Sequence, residues 1–264
     1  EQHQQEKGVS FITPEEFQNG KYNIVTRTRK WVERAVAKKA DKVIVPSNYL
    51  KKIVMMWGVK EKKIKVIYNA FTSKEVVESK KELREEFGFE GHVIFSAGRL
   101  VPWKGFELLI NIMKDLPDIK LFIVGDGPDK EKLSKKIKEL HLGDSVKLTG
   151  RLEQNELLKK IKASDLFVLN TGYEGLSHQL LEVMSVGTPI ITTNVGGNPE
   201  VIENGKDGVL VDYNDKEALN KAIFATLIHK GPPFMDYAKN AVKKLSLFEK
   251  ERMLKDTVKV LKNV

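Results

Sequence analysis

The chain has 264 residues, 41% of them hydrophobic and 31% charged, with a formal net charge of +9, an ordinary globular composition with enough apolar residues for a core. The absence of cysteine excludes disulfides and thiolate metal sites. No apolar run approaches the roughly 18 residues of a membrane span and no basic-then-apolar segment opens the sequence, so the expected compartment is the cytoplasm.

The first 65 residues carry 15 Lys and Arg against 7 Asp and Glu, which holds nearly all of the excess charge in the first quarter. Such asymmetry suits an anionic partner, nucleic acid or a membrane surface, as well as a merely solvated helix face. Residues 1–20 read as polar and irregular. Residues 22–39 predict a helix with Ile24, Thr28, Trp31, Ala35 and Val36 near one face and Arg27, Arg29, Lys30, Arg34, Lys38 and Lys39 largely around the other. DKVIVPS then reads as a buried strand, NYLKKIVMMWGV as a helix capped by Ser47 and closed by Gly58, and KIKVIYNAF as a second strand. This single β-α-β unit is too small for a Rossmann-like domain.

A charged helix is expected over residues 73–89. Beyond it, apolar strands near HVIFSAG, KLFIVG, SVKLTG, DLFVLN, TPIITT and GVLVD alternate with helical stretches near 104–115, 128–141, 153–163, 178–186 and 199–203. That alternation predicts an α/β fold, a Rossmann-like parallel sheet with right-handed crossovers and both faces covered. From about Phe234 the chain reads as helices.

Open α/β sheets bind ligands at the carboxyl ends of their strands. Gly98 and Arg99 follow the first of these strands, Gly125, Asp126 and Gly127 the second, Gly150 and Arg151 the third, Thr171 to Glu174 the fourth and Asn194 to Gly197 the fifth. Five strand ends thus converge on one crevice. After the fourth, Ser177 is a helix N-cap with Leu176 and Leu181 as a hydrophobic staple, and the helix stops at Gly187. Glu174 falls in the loop and Glu182 one turn inside the helix, so that both can face one cleft. Gly175, Leu176 and Ser177 offer backbone N–H groups at the positive helix end, where phosphate binds readily.

The string TGYEGLSHQLLEVMSVGTPIITTNVGGNPEVI, with seven residues between Glu174 and Glu182, together with GRLVPWKG and VGDGP upstream, resembles the signature of retaining glycosyltransferases of the two-Rossmann GT-B fold, glycosyltransferase family four. The resemblance implies that residues 71–230 are the nucleotide-sugar donor domain, that residues 1–70 are an incomplete remnant of an amino-terminal acceptor-side domain, and that residues 231–264 are helices crossing back towards it. The chain is therefore expected to be amino-terminally truncated. It also implies a hexosyl transfer with retention to a hydroxyl acceptor, as in polysaccharide or glycolipid biosynthesis. Arg99, Lys104 and Glu174 become the catalytic residues, with the two cations taking charge that grows on the distal phosphate as the glycosidic bond breaks. Glu182 accepts from the nucleotide ribose and Glu174 from hydroxyls of the transferred sugar. Gly98, Gly125, Gly127, Gly150, Arg151, Gly175, Leu176, Ser177, Gly196 and Gly197 line the donor. The sequence contains no Asp-x-Asp, and its histidines, His3, His92, His141, His178 and His229, are dispersed, so no metal and no cofactor are expected. The expected partners are a nucleotide sugar, an unnamed acceptor and an anionic membrane, with no nucleic acid because the crevice is rich in carboxylates. A non-catalytic sugar-nucleotide binding module and a phosphorylase or epimerase of the same fold stand as alternatives.

Overall fold

The computed structural model describes residues 12–72, 75–228 and 234–263. The expectations for residues 1–11, for the start of the charged helix at 73–74 and for 231–233 lie outside the described residues. Two compact units are distinguished, one of Glu1–Ala70 with Leu247–Val264 and one of Phe71–Ser246.

In the first unit a short helix, Pro14–Asn19, opens the described chain where the sequence suggested irregular structure. Thr13 caps it through the backbone N–H of Glu16, and the Glu16 carboxylate accepts from the Thr13 N–H. The reciprocal pair and a proline in the first turn satisfy the orphan donors of a helix start. The helix Ile24–Lys39 follows, starting two residues later than expected because Asn23 accepts from the Thr26 N–H. It buries none of its residues, whereas Lys30 and Arg34 both donate to the Gln18 carbonyl. Parallel strands β1 (Val43–Val45) and β2 (Ile64–Val66) flank the helix Asn48–Met56, capped by Ser47 as expected. β1 is only partly buried, with Ile44 exposed, which corrects its reading as a buried strand. The helix Lys250–Leu261 belongs to this unit; Arg252 donates to the Tyr68 carbonyl and the Met253 sulfur accepts from the Ala70 N–H.

The second unit carries a six-stranded, wholly parallel sheet: β3 (His92–Ala97), β4 (Ile119–Val124), β5 (Val146–Gly150), β6 (Leu166–Leu169), β7 (Ile190–Thr193) and β8 (Val209–Val211), in the spatial order β5-β4-β3-β6-β7-β8. The middle strands are buried almost throughout, the pattern of a sheet covered on both faces. On one face the helices Phe106–Ile112, Lys130–Glu139 and Lys216–Ile228 share a core with the sheet. The helices Lys80–Phe87 and Gln154–Ala163 pack together, with Val93 of β3 in the same cluster, and Gln154–Ala163 in turn contacts His178–Ser185. The helix Lys216–Ile228 has no counterpart in the sequence reading. The charged helix begins only at Lys80, where Ser79 and Glu82 form a second reciprocal cap. Phe234–Lys244 packs on His178–Ser185 and falls in this unit, so the expected third segment is divided rather than continuous.

Asp165, just ahead of β6, fastens one flank. Its carboxylate accepts from Lys80 at 2.9 Å, Arg84 at 2.9 Å and the Val93 N–H at 3.0 Å. Burial pushes this carboxyl up, but the two cations and the amide outweigh it and hold it below the ordinary aspartate range.

Candidate functional site

From β3 the chain winds outward to β4 and β5, returns to place β6 against the other side of β3, and winds the opposite way to β7 and β8. Ligand crevices of open α/β sheets form at such a reversal, beyond the carboxyl ends of the two strands. Here those ends lead into residues 98–105 and 170–177, which carry Arg99, Lys104 and Glu174.

Backbone hydrogen bonds lace the strand ends together. The Gly98 N–H donates to the Val124 carbonyl at 2.9 Å, that of Leu100 to Asp126 at 3.0 Å, and that of Gly125 to Gly150 at 2.8 Å. On the other side, the Gly172 N–H reaches the Trp103 carbonyl at 2.7 Å and that of Gly197 the Glu174 carbonyl at 2.8 Å. Several of the predicted glycines have a packing role in this lacing. A Cβ on Gly125 would strike the Gly98 carbonyl, one on Gly127 Leu100, one on Gly196 Glu174 and one on Gly197 Gly175. Gly150 has positive φ and open space around it.

Lys104 and Glu174, seventy residues apart, form an ion pair whose side chains are 14% and 17% exposed. The sequence nominated both residues without showing that they meet. Lys104 lies in a 3-10 turn, Pro102–Lys104, and Gly105 in the left-handed region separates it from the helix Phe106–Ile112. It therefore does not begin that helix, as the sequence suggested. Arg99 and Arg151 are exposed. Ser177 caps His178–Ser185 by accepting from the Leu180 N–H at 3.4 Å, and Leu176 and Leu181 are buried beside it. Glu182 lies on that helix, half-buried, and accepts from Gln154 at 3.3 Å. Burial raises its carboxyl above the ordinary glutamate value, against smaller lowering effects of Gln154 and His178.

In the sequence Asn170 is only the polar end of the DLFVLN strand. It is buried at 2% exposure, donates to the Gly105 carbonyl at 3.1 Å and the Asn214 Oδ1 at 3.0 Å, and accepts from the Asn214 N–H at 3.2 Å. Tyr213 beside it donates to the Pro102 carbonyl at 3.2 Å, and burial raises its phenol. A polar residue closing an apolar strand was the available signal.

A cavity of about 450 Å³ opens instead at the amino ends of β3, β6 and β7, between Asp165, Thr188, Leu227 and Phe234. Its buried hydroxyls are already spent: Ser164 and Thr188 donate to the Ile161 carbonyl and Thr226 to that of Ala222. Of its charged lining, Lys80 is paired with Asp165 and Lys162 donates to the Val76 carbonyl, and the switch point is the better site. Among the described residues no group of three or more acidic or histidine side chains could hold a metal ion, and no helix is long and apolar enough to cross a membrane.

Residues 79–245 match the family Glycosyl transferases group 1, and residues 8–74 match Glycosyltransferase Family 4. The chain is 31% identical over 228 residues to an uncharacterised glycosyltransferase of Methanocaldococcus jannaschii, covering 83% of this chain and 57% of that protein. It is 31% identical over 163 residues to a lipopolysaccharide core biosynthesis glycosyltransferase of Rhizobium meliloti, covering 62% of this chain and 47% of the relative. The crystal structure of HepE from Anabaena in complex with UDP-glucose superposes with a TM-score of 0.81 at 25% identity, over 90% of this chain and 68% of that one. The chain thus spans roughly half of the curated relatives it matches.

Proposed function

The chain belongs to the glycosyl transferases group 1 family with a GT-B-like fold, and from that premise we propose that it is the donor-binding half of a retaining, metal-independent glycosyltransferase. The observation that carries the reading is the meeting of Lys104 and Glu174 at the switch point of the sheet. A nucleoside diphosphate sugar lies across the strand ends, its diphosphate facing Arg99, Lys104 and the backbone N–H groups before the Ser177 cap. Glu182 accepts from the ribose and Glu174 from hydroxyls of the sugar, two roles that suit carboxylates.

In the step itself the bond from the anomeric carbon to the distal phosphate oxygen breaks, and a bond from the same face of that carbon to the acceptor oxygen forms. The acceptor proton passes to the departing phosphate. Arg99 and Lys104 stabilise the charge that grows there, with preorganised donors of this kind worth about 3 kcal/mol. A bidentate guanidinium and a point-charge ammonium divide the work that a divalent cation would otherwise do.

The test is calorimetric titration of the chain with UDP, GDP and ADP. UDP is the first choice because HepE was solved with UDP-glucose. Binding of one diphosphate, unaffected by a chelator and lost in Glu182→Ala, is expected; no binding by the folded chain removes the reading.

A second reading, peripheral contact with an anionic membrane, is favoured by the helix Ile24–Lys39. Ile24, Trp31 and Val36 are each more than 60% exposed on it, amid Arg27, Arg29, Lys38 and Lys39, a make-up suited to a lipid interface. Sedimentation with anionic but not neutral vesicles, weakened by salt, is expected; indifference to lipid charge rules it out.

A further inference from the structure

The turn that carries Lys104 is held from two sides. The loop after β6 grips it through the Gly172 N–H, which donates to the Trp103 carbonyl at 2.7 Å, while the Thr171 hydroxyl braces that loop internally by donating to the Tyr173 carbonyl at 3.0 Å. The loop after β8 grips it through the Tyr213 hydroxyl on the Pro102 carbonyl. Asn170 sits where these meet. Its two amide hydrogens go to the Gly105 carbonyl and to Asn214 Oδ1, and its carbonyl accepts from the Asn214 N–H. The fit leaves little slack: Gly105 is left-handed with φ 59°, and a Cβ there would run into Asn170. Asn214, also left-handed at φ 59°, turns its backbone N–H and its side chain to the same amide. A buried amide with both hydrogens engaged has one orientation, because any other leaves a donor or an acceptor unmet.

We propose that Asn170 is a positioning residue: by clasping the loops after β3, β6 and β8 it fixes the Lys104 ammonium at the place where the distal phosphate of the donor binds. The inference rests on the reading of Lys104 as a diphosphate cation. Asn170 acts through Gly105, the neighbour of Lys104. Asp at this position keeps the shape but offers no hydrogens, and turns a carboxylate towards the Gly105 carbonyl and Asn214 Oδ1. The turn is then released and the ammonium loses its fixed position.

The readout is the ratio of UDP to UMP affinity in the full chain, because the distal phosphate is what distinguishes the two and UMP reports whether the rest of the site is intact. Lys104→Ala is expected to cut the preference for UDP roughly ten- to hundredfold, the worth of a charge-assisted hydrogen bond. Asn170→Asp is expected to lose it to a similar extent with UMP affinity within about twofold of the parent, and Lys104→Ala with Asn170→Asp together no more than either alone. Non-additivity of that kind marks residues that act as one unit. Asn214→Gly keeps the left-handed backbone, removes one partner of the amide and should fold even where Asn170→Asp does not. It is expected to move the ratio in the same direction by less. If Lys104→Ala leaves the preference intact, or the parent shows none, the reading of the site fails. If Lys104→Ala abolishes it while Asn170→Asp and Asn214→Gly do not, or the losses multiply, Asn170 is structural only and the inference is overturned.

Discussion

At Glu182 stability and binding pull in opposite directions. Burial raises its carboxyl, so ionisation is less favourable in the folded chain than in the unfolded one. A carboxyl raised in this way adds stability that is complete below the ordinary glutamate value and is lost as pH rises through the folded value. At neutral pH the charged group is therefore a cost to the fold, whereas the proposed contact with the ribose hydroxyls needs it ionised as an acceptor. Glu182→Gln should melt at a higher temperature than the parent at about pH 7, and the advantage should vanish towards about pH 4. The same variant should bind UDP more weakly, and the parent should lose UDP affinity as the solution is acidified. Melting curves across that range with parallel titrations check both; a variant less stable at neutral pH contradicts the account. The position of Glu182 was legible from spacing to Glu174 and from the Ser177 cap. Its partner Gln154 lies 28 residues earlier on another helix, and nothing local to either residue announces it.

Local signals sufficed for most elements. The strands of the second unit were readable because continuous apolar runs between turn residues are what a doubly covered parallel sheet demands, and all of β3 to β8 fall where those runs lie. The missed or misplaced helix starts also carried readable signals: Thr13 with Glu16 and Ser79 with Glu82 are reciprocal caps, and Asp215 accepts from the Ala218 N–H at the start of Lys216–Ile228. Which loops meet was not readable, because it follows from the strand order and not from any window of sequence. The glycines show the consequence. They were nominated as openings for a ligand, yet Gly125, at φ 142°, is needed where the loop after β4 presses on the Gly98 carbonyl. Gly125→Ala should destabilise the chain by about 2–4 kcal/mol, from backbone strain and a collision with main chain that cannot yield. Gly150→Ala, at φ 76° in open space, should cost only about 1–2 kcal/mol. Denaturant unfolding of the two variants separates them, and equal costs would mean that the loops after β3 and β4 can part.

Over the whole molecule, the residues proposed to hold the donor, the switch point and the larger core all fall within one compact unit, residues 71–246, and the family match of 79–245 ends at nearly the same places. Its sheet has no strand in the other unit. Asn170, Lys104, Glu174, Glu182 and Gln154 find the partners described above inside it. A unit with its own core and its site contacts in place should fold without the remainder. Residues 71–246 alone are expected to unfold cooperatively and to bind UDP with an affinity close to that of the full chain. Binding only the native state, UDP at about 100 times its dissociation constant adds about 2.7 kcal/mol, or roughly 5–10 °C in melting temperature for a unit of this size. The shift should disappear in Glu182→Ala and shrink in Lys104→Ala. A cooperative unit that melts identically with and without UDP, while the full chain responds, would place part of the nucleotide site in Glu1–Ala70 or Leu247–Val264. The switch-point crevice would then be insufficient by itself to hold the donor.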